Sequence, residues 1–70
     1  MIDYEGFFEN FPPKTAGNND DFALKAFDGR TKQSYVIASF KDGIKGHNAA
    51  IALINFAKEF FNIDLEIEEI

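Results

Sequence analysis

A chain of 70 residues without a single cysteine has to hold its fold by packing alone. Neither a disulfide nor a thiolate zinc site is open to it. A domain this small buries only ~60% of the surface its unfolded form exposes. Its means of compensation are nine Phe and two Tyr, since each aromatic ring buries on the order of 150–250 Å². Whatever it folds into must gather those rings, and where one core cannot hold them all a second chain is the usual remedy.

The first rings come in "IDYEGFFENFPP", where Tyr4, Phe7, Phe8 and Phe11 fall at helical spacing on one side. Asp3 is suited to the N-cap, and Pro12-Pro13 end the segment. Residues 1–13 are therefore expected as a short aromatic helix or arm, followed over 14–21 ("KTAGNNDD") by a flexible surface loop. Residues 22–41 read as a β-hairpin around "DGRTK", with Asp28-Gly29 supplying positive φ. In the first strand Phe22, Leu24 and Ala26 face one way and Ala23, Lys25 and Phe27 the other. In the second, Val36, Ala38 and Phe40 oppose Tyr35, Ile37 and Ser39. Apolar residues on both faces call for cover on each side.

From Gly46 to Phe61 the pattern is helical, with Asn48, Ala52, Asn55, Glu59 and Asn62 along a polar edge and Ala50, Leu53, Ile54, Ala57, Phe60 and Phe61 opposite. Ile51 and Phe56 widen the apolar stripe, and Asn62 can take the left-handed conformation that closes a helix. Residues 63–69 then alternate, with Ile63, Leu65 and Ile67 inward and Asp64, Glu66 and Glu68 outward. The expected fold is one α+β domain of two layers. A three-stranded mixed sheet, made of the hairpin and a C-terminal strand parallel to its neighbour across a right-handed crossover, carries the long helix on one face. The N-terminal rings cover the other.

Twelve acids against seven bases give a net charge of −5. Binding to nucleic acid draws mainly on lysine and arginine, and anionic membranes attract bases, so both are disfavoured as partners. The opening "MIDYEGFFEN" is acidic where a secretory signal is basic and apolar, and a cytoplasmic address is expected. Catalysis has little to work with: a Ser–His–acid triad would have to use His47, the only histidine. Asp64, Glu66 and Glu68 stand ~7 Å apart on a strand facing water, where a carboxylate pKa is hard to perturb. No catalytic residue, metal site or cofactor is expected.

The segment "FKDGIKGHNAA" contains Gly43-Ile44-Lys45-Gly46, flanked by Lys41 and His47. A Gly-x-x-Gly followed by a helix and a strand resembles the second half of the KH RNA-binding module, whose loop clamps backbone phosphates. That resemblance implies an anion site at Lys41, Gly43, Lys45, Gly46 and His47. The chain departs from the module in having a strand, "SYVIASF", where a helix should precede the loop, only Ala49 as the apolar residue after it, and Asp42 where phosphate would lie. The plainer expectation is a turn that ends one element and starts the next.

What remains is surface for binding a protein. Glu59, Asp64, Glu66, Glu68 and Glu69 lie in the last twelve residues with no base after Lys58, and three of them would form a stripe ~14 Å long on an extended strand. Such a stripe suits a basic surface, as in proteins that imitate nucleic-acid phosphates. Tyr4, Phe7, Phe8, Phe11 and Phe56 are a second candidate surface wherever they are not consumed by the core. The expected role is a stoichiometric inhibitor or regulator of a basic-surfaced protein, of a kind that small acidic virus-encoded proteins fill. The alternatives are a weak RNA- or phosphate-binding module and a homodimeric structural subunit.

Overall fold

The computed structural model describes residues 1–70, and the chain folds as a two-helix, three-strand α+β domain. In chain order the elements are α1 (Tyr4–Asn10), β1 (Phe22–Asp28), β2 (Gln33–Phe40), α2 (Ile44–Phe61) and β3 (Leu65–Glu69). Asp3 caps α1, its Oδ1 accepting from the Gly6 N–H at 3.0 Å. Asn62 closes α2 in the left-handed conformation, at φ 58° and ψ 37°.

The sheet order is β2-β1-β3, with both neighbouring pairs antiparallel. The mixed sheet expected from the sequence is thus corrected in its adjacency: β2 and β3 do run parallel, but β1 lies between them. Composition accounts for the placement. β1 contributes Phe22, Ala23, Leu24 and Ala26 to the buried set, and the strand with most apolar surface takes the centre. β3 carries three glutamates and β2 begins with Gln33-Ser34, and polar residues are tolerated best on edges.

A β-bulge in β2 changes which residues face the core. Leu24 pairs with Ala38 but Lys25 pairs with Val36, so Ile37 is the extra residue. Ile37 is buried in the core cluster, and Tyr35, opposite Ala26, joins the same face. Val36 turns outward beside Lys25. This reverses the phase expected for 35–37 and puts Val36 on the opposite face, with Ala23, Lys25, Phe27, Ser34, Ser39, Glu66 and Glu68. That face keeps apolar residues, Ala23 buried and Phe27 exposed, and the 14–21 segment is bonded to its Ser39.

α1 does not cross to the other side of the sheet, where the sequence reading put it, but packs beside α2. Phe7 is fully buried and meets Phe61 edge-on with ring centroids 5.5 Å apart, while Phe8 meets Tyr35 at 5.7 Å. The core runs from Phe7 through Leu24, Ala26 and Ile37 to Ala50 and Ala57 of α2 and on to Ile63 and Leu65. The two alanines let the helix backbone approach the strands closely. Phe60, expected in the core, is 64% exposed, and Ile67 is 58% exposed although Leu24, its cross-strand partner, is fully buried.

Two turns differ from expectation. In the hairpin the positive φ belongs to Lys32 (62°) and not to Gly29. The loop closes through Lys32 N–H to Asp28 O at 2.8 Å, and Asp28 Oδ1 accepts from Arg30 N–H at 2.9 Å. The 14–21 loop, expected to be free, is tied to β2: Lys14 N–H donates to Val36 O (2.9 Å), Gly17 N–H to Ser39 Oγ (3.0 Å), and the Ser39 hydroxyl to Asp20.

Candidate protein-binding edge

β3 ends the sheet. Its inner side pairs with β1 from Phe22↔Glu69 to Ala26↔Leu65, and no backbone or side-chain hydrogen bond from outside the sheet reaches the backbone of residues 65–69. Alternate N–H and C=O groups of β3 are therefore open to water, as on any uncovered edge. Register assigns its side chains. Leu65, Ile67 and Glu69 lie on the helix-covered face beside Ala26, Leu24 and Phe22, and Glu66 and Glu68 lie on the opposite face with Lys25 and Ala23.

A hollow opens at each end of this edge. One, of about 300 Å³, lies between the end of β3 and the start of α2 and is lined by Asp21, Asp42, His47, Glu69, Phe22 and Ile67 among others. The other, of about 310 Å³, lies where α2 runs into β3 and is lined by Ile2, Tyr4, Phe27, Asp64 and Glu66 among others. Carboxylates occur in both, and neither is lined by a lysine or arginine. In the first, Asp42 N–H donates to Asp21 Oδ2 at 2.7 Å, His47 Nε2 lies 3.3 Å from Asp42 Oδ1, and the His47 ring rests on Phe22 with centroids 4.9 Å apart. His47 is thus held as part of a wall, between Asp42 and the Phe22 ring.

The sequence-predicted acids are only partly brought together. Asp64 precedes β3 and meets Lys58 at 3.2 Å, and Glu68 meets Lys25 at 3.1 Å. The continuous negative ribbon expected over 64–68 is therefore interrupted by two lysines of the protein's own fold. Both pairs are exposed, with carboxylates at 82% and 62%. Pairs of this kind contribute only ~0–1 kcal/mol, so a competing cation can displace them at small cost. Glu66 and Glu69 have no ion-pair partner, and Glu59 stands apart on α2, outside both hollows. Sequence reasoning missed Asp21 and Asp42, since their approach to Glu69 depends on where α2 starts relative to the end of β3.

The Gly43–Gly46 segment is not a loop. α2 begins at Ile44, so Gly46 sits in its first turn, and Gly43 is the N-cap with φ 123° and no capping side chain. Gly46 is required by close approach, because a Cβ there would meet the Lys41 carbonyl oxygen. Lys41 and Lys45 are exposed without an acidic partner, but Asp42 and Asp21 occupy the space beside the helix start. The Gly-x-x-Gly segment is thus the start of a helix, preceded by strand β2.

The remaining aromatic surface is the flank of α2 nearest α1. Phe56 and Phe60 pack with centroids 4.7 Å apart and planes tilted by 38°, and are 40% and 64% exposed, with Phe11 6.0 Å from Phe56. Of the rings flagged in the sequence, Phe7 is core, and Tyr4, Phe8 and Phe11 are half-buried against it. No helix is long and apolar enough to cross a membrane. No protein-family model, curated protein or solved structure matches the chain.

Proposed function

We propose that this chain is a non-enzymatic protein-binding domain that engages a partner with a basic surface, acting in the cytoplasm as a stoichiometric inhibitor or regulator. One observation carries the proposal: both hollows of the molecule border β3, one with three carboxylates in its lining and the other with two among mostly apolar residues, and neither with a lysine or arginine. Charge so placed steers encounter with a basic surface and repels acidic ones. A partner captured from the cells that make the protein provides the test. Its association rate is measured across salt concentrations with wild type and with a variant carrying Asp64→Asn, Glu66→Gln, Glu68→Gln and Glu69→Gln. Association is expected to slow by about tenfold or more and its salt dependence to flatten. A partner whose association rate ignores both salt and substitution overturns the proposal.

A homodimer is a second reading, favoured by the exposed Phe56–Phe60 pair on α2. Sedimentation equilibrium at high concentration decides it, since a strict monomer ends it.

A further inference from the structure

The binding mode can be taken further, resting on the reading just given. We infer that β3 receives an extended basic segment of the partner as a fourth strand, with its basic side chains entering the two hollows. Three features of the edge converge on this occupant. The backbone of residues 65–69 is unbonded on its outer side, and such an edge accepts a strand through main-chain hydrogen bonds. Ile67 is 58% exposed on the helix-covered face, so a side chain arriving beside it extends the core laterally. Glu66 and Glu69 lie on opposite faces of β3, each lining a different hollow.

Charge and register select the incoming strand. A second copy of β3 would set glutamates against glutamates, and like charges opposite one another destabilise a strand pair. A basic strand meets no such penalty. Because side chains alternate between faces, two lysines an even number of positions apart would both fall on one face and reach one hollow. Two lysines three positions apart fall on opposite faces, matching Glu66 and Glu69. Specificity then resides in the spacing of the basic residues and affinity in the main chain.

The test is a titration of the ¹⁵N-labelled protein, at low salt, with a seven-residue Thr/Val peptide carrying two lysines three positions apart. Two controls have the same charge: one with the lysines two apart, the other with alternate backbone amides N-methylated. The first peptide is expected to shift the amide signals of residues 65–69 and to slow their hydrogen exchange. The spacing control should bind a few-fold more weakly, the order of effect of losing one exposed ion pair, and the N-methylated control about tenfold, that of losing one or two hydrogen bonds. Glu66→Gln with Glu69→Gln, at two exposed positions, should abolish the preference for spacing while the amide spectrum stays folded.

If all three peptides bind alike, the basic-partner reading stands and strand addition is overturned. If none binds, and the captured partner's association rate still depends on the acids, the partner docks by another surface and strand addition is again overturned. Concentration-dependent protection of residues 65–69 without peptide would identify a second copy as the occupant and overturn the basic segment.

Discussion

Asp28 is the one buried charged side chain of the core set, 4% exposed, at the mouth of the hairpin. Arg30 answers it with Nε to Oδ1 at 3.1 Å and Nη2 to Oδ2 at 2.9 Å. These side-chain hydrogen bonds hold the Asp28 carboxyl below its usual value, against the opposing pull of burial. A depressed folded-state pKa contributes stability that is present above the unfolded value of ~3.9 and is lost as pH falls through the folded one. Asp28→Asn is therefore expected to destabilise the protein at neutral pH and to cost progressively less as pH drops below 4. Urea unfolding of both proteins at pH 7 and at pH 3 measures the narrowing gap. At Gly46 two effects compete. Alanine favours a helix by nearly 1 kcal/mol, whereas a Cβ in contact with the Lys41 carbonyl costs on the order of 1–3 kcal/mol as overpacking. The clash is expected to win, and Gly46→Ala should lower the thermal midpoint.

Among the elements, α1 contributes far more than its seven residues suggest. Phe7 is fully buried and touches Phe8, Phe11 and Phe61. Phe7→Ala removes ~3–5 kcal/mol from a 70-residue domain whose whole stability is of order 4–10 kcal/mol at typical values per residue. The thermal midpoint, followed by near-ultraviolet circular dichroism, should fall by about 4–8 °C for each kcal/mol lost. Phe60→Ala, at a ring 64% exposed, should change stability by no more than ~0.5 kcal/mol, as surface substitutions do. The sequence places both phenylalanines on apolar stripes and cannot rank them. The rank depends on α1 packing beside α2 and on the bulge that turns Ile37 into the core, and a one-residue bulge leaves no mark in an alternating pattern. Element types were legible because their periods are strong: the alternation of 63–68, the helical spacing of 50–61, the proline pair after α1. The antiparallel seat of β3 against β1 was not, because both hairpin strands offer an edge and only packing chooses between them.

At the scale of the molecule, charge is distributed by folding in a way composition alone conceals. The net charge of −5 reads as a general acidity. Folding draws Asp64 to Lys58 and Glu68 to Lys25, and gathers Asp21, Asp42 and Glu69 from three parts of the chain around one hollow. The acids at 66 and 69 were legible as a candidate surface. Asp21 and Asp42 were not, the first being separated from Glu69 by β1, β2 and α2 and the second by α2. The two lysines thereby act as tethered competitors of any basic partner. Lys25→Gln together with Lys58→Gln should free two carboxylates beside β3 and make the molecule more negative by two charges. Exposed pairs contribute only ~0–1 kcal/mol each, so the thermal midpoint is expected to move little. Binding of the two-lysine peptide should tighten by several-fold and become steeper in salt, as unscreened charge near an edge requires. Titration of wild type and the double variant at two salt concentrations reads both effects. Unchanged affinity with a collapsed midpoint would instead assign those lysines to holding the fold, and leave Glu66 and Glu69 as the whole electrostatic contribution of the edge.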